Sequence, residues 1–198
     1  MKVLIACEYS GVVRDAFIRA GHDAVSVDLI PSESSFGPHI VGDVLAVLDG
    51  GWDLMIAHPP CTHLAVSGAR YFAQKVDQQR DALAFVRALL DAPIDRIALE
   101  NPVSVISSRI RKPDQIIQPY QFGHDASKTT CLWLKNLPPL QQTAYVPPSR
   151  QGSNGRMYWS NQTPTGQNKL GPSAKRAAER ARTYQGIADA MAEQWGSE

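Results

Sequence analysis

Two side chains with reactive chemistry stand at the ends of short apolar runs, each held by a neighbouring proline. Residues 53–68 read Asp-Leu-Met-Ile-Ala-His-Pro-Pro-Cys-Thr-His-Leu-Ala-Val-Ser-Gly. The first five residues predict a short buried strand. His58, Pro59 and Pro60 end it, because proline cannot donate to a sheet ladder and biases the residue before it to an extended conformation. Cys61 is thereby delivered just past the strand end. A second strand, Arg96 to Leu99, runs into Glu100-Asn101-Pro102. Ligands of open α/β sheets bind along that edge, so Cys61 and Glu100 form an active-site hypothesis. A metal site built on His58, Cys61 and His63 is the weaker reading: two prolines leave poor zinc geometry, and no metal is expected. Most buried cysteines are inert small hydrophobes, and Cys7 and Cys131 are assigned to the core on that ground.

The elements that must place these groups follow from the pattern of the chain. Val3 to Ala6 is β-prone, and Gly11 opens a helical pattern through Val12, Val13, Ala16, Phe17 and Ala20 that stops at Gly21. Asp23 to Asp28 alternates as a strand with an acid at its end. A Pro/Ser/Gly loop (31–38), Gly42-Asp43-Val44 and a short apolar turn precede the Asp53 strand. Ala82, Leu83, Phe85, Val86, Leu89 and Leu90 share one face of a helix over 74–90, which Pro93 ends. Two more strands are predicted, at Asp114 to Gln118 and Thr130 to Leu134. Strands alternating with helices imply an α/β fold, a mostly parallel sheet with helices on both faces. Residues 138–172, rich in proline and glycine, predict an irregular excursion. Ala177, Ala181, Tyr184, Ala188, Met191 and Trp195 then recur at helical spacing, with Gly186 weakening that helix by roughly 1 kcal/mol relative to alanine.

The bulk numbers set the class. The 198 residues suggest one domain with a full hydrophobic core. No apolar run reaches a membrane span, and Met1-Lys2 leads directly into a strand with no signal peptide expected. Three cysteines cannot all pair internally, and a reduced cytoplasmic setting is expected. The net charge is only +1, so nucleic-acid binding has to come from a local basic patch.

In order, these motifs resemble the catalytic domain of the cytosine-5 DNA methyltransferases, in a small phage- or prophage-type form that would work in a host-cell cytoplasm. Cys7 to Gly11 followed by Phe17 occupies the place of a Phe-x-Gly-x-Gly turn under the methionine part of S-adenosylmethionine; Gly11 survives, while Glu8-Tyr9-Ser10 depart from the pattern. Asp28 matches the acid that holds the ribose hydroxyls, and Gly42-Asp43-Val44 a motif whose acid accepts from the adenine amino group. Pro60-Cys61 matches the Pro-Cys nucleophile, with similarity continuing through Val66-Ser67-Gly68 in a mobile catalytic loop. Glu100-Asn101-Pro102 is similar to Glu-Asn-Val with one change. Lys128 to Thr130 stands where a Gln-x-Arg-x-Arg motif is expected, and lysine replaces the charge but not the planar fork of arginine. The resemblance spans about residues 1–137 and 173–196. It implies a Rossmann-like S-adenosylmethionine-dependent methyltransferase fold in a single domain, 1–198. The irregular segment 138–172 stands in place of a target-recognition region of a hundred or more residues.

The implied chemistry suits the residue types. Carbon 5 of cytosine is a poor nucleophile until a thiolate adds to carbon 6. Cys61 supplies that thiolate, and a protonated Glu100, kept neutral by burial, donates to ring nitrogen 3. Asn101 belongs to the same site and holds the loop rather than reacting. Gly11, Asp28, Asp43 and Pro59 are expected to bind the cofactor. Ser67, Arg70, Lys128, Arg150 and Arg156 are expected to contact nucleic acid, with a base stacked on Tyr158 or Trp159. Tyr71 and the basic run Lys169, Lys175, Arg176, Arg180 and Arg182 are further candidates. The partner is DNA, with a single strand or a nucleotide left open as substrate. Two rivals remain: an amino methyltransferase on a nucleobase, whose motif is Asp, Asn or Ser before Pro-Pro-aromatic, and a catalytically inactive nucleotide- or DNA-binding module.

Overall fold

A computed structural model describes residues 1–163 and 181–197. The main sheet holds β1 (Lys2–Ala6), β2 (Asp23–Asp28), β3 (His39–Val41), β4 (Leu54–Ala57), β5 (Arg96–Asn101), β6 (Gln115–Ile117) and β7 (Thr130–Lys135) in the order β3-β2-β1-β4-β5-β7-β6. The first five positions of that order pair in parallel, and β7 runs antiparallel between β5 and β6. Four α-helices are described: α1 (Val12–Arg19), α2 (Val76–Leu90), α3 (Ile106–Arg109) and α4 (Gln185–Gly196).

Side chains alternate across a strand, so a strand covered on both faces reads as one apolar run. In β1, Val3 and Ile5 pack with Phe17 of α1 and with Ile187, Met191 and Trp195 of α4. Leu4 and Ala6 turn to the other side, against Val86 and Leu89 of α2 and Ile106 of α3. Phe17 and Met191 are both fully buried, and burial of such side chains contributes roughly 1.5–3 kcal/mol each. The result is a mostly parallel α/β architecture with helices on both faces of the sheet.

Several features differ from the sequence reading. The last helix, in its described part, begins at Gln185, and Ala177 lies outside the described residues. Gly186 is not a weak point in its middle but sits in its first turn: a Cβ there would lie 1.9 Å from the Phe122 carbonyl oxygen. Its N–H donates to His124 Nε2 at 2.9 Å. The described part of the irregular segment, 138–163, contains a small antiparallel hairpin of β8 (Arg150–Gln151) and β9 (Met157–Tyr158). Val66-Ser67-Gly68, expected in a mobile catalytic loop, open a 3-10 segment, Val66–Gln74, whose Val66 N–H donates to the Val103 carbonyl at 3.0 Å.

Arg14 and the 31–38 loop are organised together. Arg14, on α1, is wholly buried. Its guanidinium pairs with Asp15 at 2.7 Å and donates to Ser26 Oγ at 3.0 Å, Ser32 Oγ at 3.2 Å and the Ser34 carbonyl at 3.1 Å. A buried charge persists only when so paired. Arg182 adds a second tie to the same loop, through Glu33 at 2.6 Å.

Candidate active site

The chain passes from β1 outward to β2 and β3, then returns to β4 on the other side of β1. Strand order reverses there, and the crevice beyond the strand ends at such a point is where ligands bind in open α/β sheets. A cavity of about 530 Å³ lies at this place, lined among others by Cys7 after β1, Val27, Asp28 and Leu29 at the end of β2, Asp43 to Leu45, and Pro60 after β4. Gln78, Asp81, Ala82 and Phe85 of α2 close one side. Apolar walls with a few convergent carboxylates suit a flat ring bearing hydroxyl and amino donors. Neither lysine nor arginine is among its described lining residues.

Asp28 and Asp43, expected to bind the cofactor, both line this cavity. Asp28 Oδ1 accepts a long bond from Ile30 N–H at 3.3 Å. Asp43 Oδ1 caps the following 3-10 turn by accepting from Leu45 N–H at 2.9 Å. The other two expected cofactor residues sit elsewhere. Gly11 (φ +77°) is covered by Arg14 and Ser34, which would lie 2.6 and 2.8 Å from an added Cβ. Pro59 is buried and turned inward, and Pro60 lines the cavity in its stead. In the first turn it is Cys7, assigned to the core by sequence, that lines the cavity, with a left-handed backbone at φ 58°. Burial, with Asp28 and Asp43 adding, pushes its thiol up to about 12, so Cys7 is a neutral wall. Glu8 explains why the turn departs from the glycine pattern. Its carboxylate caps α1, accepting from Val13 N–H at 2.8 Å and Arg14 N–H at 3.2 Å, the donors that a helix start leaves open.

The reactive pair stands beside this cavity on adjacent strands. Ala57 is in register with Leu99, which sets the residues after them at neighbouring strand ends. Cys61 is exposed, and its carbonyl accepts from Leu64 and Ala65 N–H at 3.0 and 2.9 Å, forming a tight turn. Asn101 is 1% exposed, and its amide donates to the Pro59 carbonyl at 2.9 Å. That bond clamps the Pro-Pro-Cys turn onto β5. Leu64 and Val105 tighten the clamp with a 2.9 Å backbone bond.

Glu100 departs from its expected state. Burial alone raises a carboxyl, and burial is the largest single influence here. Against it, the hydrogen bond from His58, the charge of Lys128 and the charge of His58 act together and hold Glu100 below the ordinary glutamate value of 4.5. The bond runs from His58 Nδ1 to Glu100 Oε2 at 3.3 Å, between side chains 8% and 14% exposed. Glu100 therefore rests as a carboxylate, not as the neutral acid that burial by itself suggested. A depressed carboxyl contributes stability above its unfolded pKa and loses it as pH falls through the folded value. Titration of denaturant midpoints should show Glu100→Gln less stable than wild type near neutral pH, with the gap closing below about pH 4. A gap that stays constant to pH 3 would remove the ion pair from the account.

Comparison with known proteins finds no matching family model and no matching curated protein. Among solved structures, the chain is similar to a prophage-encoded protein (E. coli) provisionally assigned as a DNA modification methyltransferase. The two share 14% sequence identity at a TM-score of 0.45, over 68% of this chain. This chain spans 46% of the length of that one.

The expected nucleic-acid residues divide. Ser67 and Arg70 are exposed on the 66–74 segment just after Cys61. Arg70 lies 4.7 Å from the centroid of the exposed Tyr71 ring, and Lys75 approaches the same ring at 5.9 Å. Lys128 faces Glu100 electrostatically and donates its Nζ to the Arg182 carbonyl at 3.3 Å. Arg156 is exposed at the hairpin turn. Arg150 is half-buried and donates to the Gln162 carbonyl, which turns it into a brace for the hairpin. The two stacking candidates are also engaged. Tyr158 is 8% exposed, and Trp159 stacks on Tyr120 with centroids 4.2 Å apart. Lys169, Lys175, Arg176 and Arg180 lie outside the described residues.

The sequence does not single out Leu29, Leu45 and Asp81; it reads His58 as a strand end and a weak metal candidate, and Cys7 as a core residue at the first-motif turn. The signal for Leu29 was present, as an apolar residue directly after a strand-end acid; it is 74% exposed and forms a cavity wall. For His58 the signal was its place beside Glu100 on a neighbouring strand, which only a pairing of β4 with β5 reveals.

Proposed function

We propose that the protein transfers a methyl group from S-adenosylmethionine to carbon 5 of cytosine in DNA through a covalent Cys61 adduct. One observation carries the reading: Cys61 and Glu100 occupy neighbouring strand ends, joined by the Asn101–Pro59 bond, beside an acid-lined, apolar-walled cavity at the switch point. The cavity fits the adenosine part of that cofactor. Asp28 would accept from the two ribose hydroxyls, the uncommitted Asp43 oxygen from the adenine amino group, and Leu29, Leu45 and Phe85 would flank the ring. When bound, the cofactor supplies an electrophilic methyl on a sulfonium.

The chain supplies the rest. The Cys61 thiolate adds to carbon 6, and the electron pair of the carbon 5–carbon 6 double bond moves into the ring as nitrogen 3 takes a proton from Glu100. Carbon 5 then carries the enamine character that accepts the methyl. Loss of the carbon 5 proton to solvent water and expulsion of the thiolate restore the double bond, and nitrogen 3 returns its proton to Glu100. Glu100 begins as a carboxylate, so it must gain a proton as the base seats over it and displaces water, which raises a carboxyl. The base is extruded from the duplex first, at a cost of a few kcal/mol.

The amino methyltransferase reading is disfavoured by His58 and Cys61, which stand where its motif needs an amide or hydroxyl oxygen and an aromatic ring. Sequence preference is expected to be weak. Direct readout needs several side chains carried into a groove, and Arg150, Tyr158 and Trp159 are committed to the hairpin itself. Labelled cofactor offered with duplex DNA, single-stranded DNA, RNA and cytidine nucleotides should label DNA, and bisulfite sequencing should show marks in many contexts. Label confined to free nucleotides, or a single motif of four or more fixed bases, would contradict this reading.

A further inference from the structure

Buried polar atoms without partners gather at the ends of β4 and β5: among the described residues they include His58 Nε2, Asn101 Oδ1 and Ser104 Oγ. His58 is the most informative. Its ring is 8% exposed, and its one polar tie among the described residues is Nδ1 to Glu100 Oε2 at 3.3 Å. An ionised carboxylate only accepts, so Nδ1 carries the hydrogen of this bond. A histidine kept for packing alone leaves a polar nitrogen stranded for nothing, since an unpartnered buried polar atom costs about 1–3 kcal/mol. The position makes sense if the ring is there for Glu100. Two prolines follow it and fix its backbone, and the β4–β5 register sets it beside the carboxylate.

We propose that His58 is a positioning residue for Glu100: its Nδ1–H holds Oε2 and fixes the carboxyl plane, leaving Oε1 as the oxygen that takes up a proton and meets the base. The inference rests on the methyltransferase reading for the word base, while the His58–Glu100 coupling itself does not. The groups that face Glu100 are His58 from the end of β4, Lys128 from the segment before β7, and Cys131 on β7, whose thiol is pushed up by burial and, after it, by Glu100. His58 and Lys128 both favour the carboxylate. Removing His58 leaves burial opposed only by Lys128, so the carboxyl must become easier to protonate.

The test is a carbon-13 titration of the Glu100 carboxyl in wild type, His58→Leu and His58→Asn, together with the pH profile of adduct formation on a 5-fluorocytosine oligonucleotide. Asparagine places its Nδ2–H close to where histidine has Nδ1–H, so it keeps the donor without the ring. The expected result is a Glu100 midpoint about one pH unit higher in His58→Leu and near wild type in His58→Asn, with the acid limb of the adduct profile following it. A purely structural role would slow both variants alike and leave the midpoint where it was; that outcome overturns the proposal. If His58→Leu does not fold, His58→Ala takes its place with the same rise of the Glu100 midpoint expected, and an unchanged midpoint there overturns the proposal. Should wild type form no adduct at all, the methyltransferase reading fails, and the carboxyl titration still settles whether His58 controls Glu100.

Discussion

Cys61→Ser is expected to abolish the denaturation-resistant complex that wild type forms with a 5-fluorocytosine oligonucleotide and cofactor. Fluorine at carbon 5 cannot leave as a proton does, so the adduct is trapped after methyl transfer. A serine hydroxyl is un-ionised at neutral pH and far weaker as a nucleophile. The loss should reach a thousandfold or more, on the order of 4 kcal/mol of barrier. No other cysteine can substitute. Cys131 is 2% exposed within β7, and the Cys7 thiol is held un-ionised up to about 12. Cys131→Ala should therefore retain the adduct. Gel mobility under denaturing conditions checks both, and an undiminished adduct in Cys61→Ser would end the assignment of the nucleophile.

Asp28→Ala is expected to weaken binding of S-adenosylhomocysteine roughly tenfold to hundredfold, the loss of a charge-assisted contact worth about 1.5–3 kcal/mol. Asp28 closes the end of β2 beside the cavity, and among the described residues its carboxylate has only one long internal bond to hold it. A pair of neighbouring hydroxyls therefore meets an acceptor that is largely uncommitted. Asp43→Ala should lose less affinity for the ligand and more stability, because one of its oxygens already caps the Leu45 turn. Isothermal calorimetry separates the two. Wild-type affinity in Asp28→Ala would contradict its role, whatever happens at Asp43.

How much of this was legible in the chain depends on the range of the interaction. β1, β4 and β5 announce themselves, because strands covered on both faces must be continuously apolar and each ends at a turn, a proline or an acid. The face of α2 is legible for the same reason, through its helical spacing. β3 is three residues long and carries two exposed apolar side chains, Ile40 and Val41, so no local period marks it; pairing with β2 makes it a strand. The β8–β9 hairpin depends likewise on Asn154 donating to Tyr158 Oη at 2.7 Å and on Trp159 stacking over Tyr120.

At the site, Cys61 and Glu100 were visible from their flanking prolines, but the state of Glu100 was not. Burial was the only influence readable locally. The opposing influences come from His58, 42 residues away, and from Lys128. Arg14 teaches the same lesson in reverse. A helical arginine reads as solvent-facing, yet three serines and Asp15 enclose it and thereby displace Gly11 from the cavity.

The identity of the methylated atom separates cytosine-5 from amino-group transfer. Duplex DNA incubated with the protein and cofactor carrying a deuterated methyl, then digested to nucleosides and separated by chromatography with mass detection, reads it directly. Deuterium-labelled 5-methyldeoxycytidine is expected, and its absence when Cys61→Ser replaces wild type. Label in N4-methyldeoxycytidine or N6-methyldeoxyadenosine would contradict it, and would return the Pro-Pro turn to amino-group chemistry.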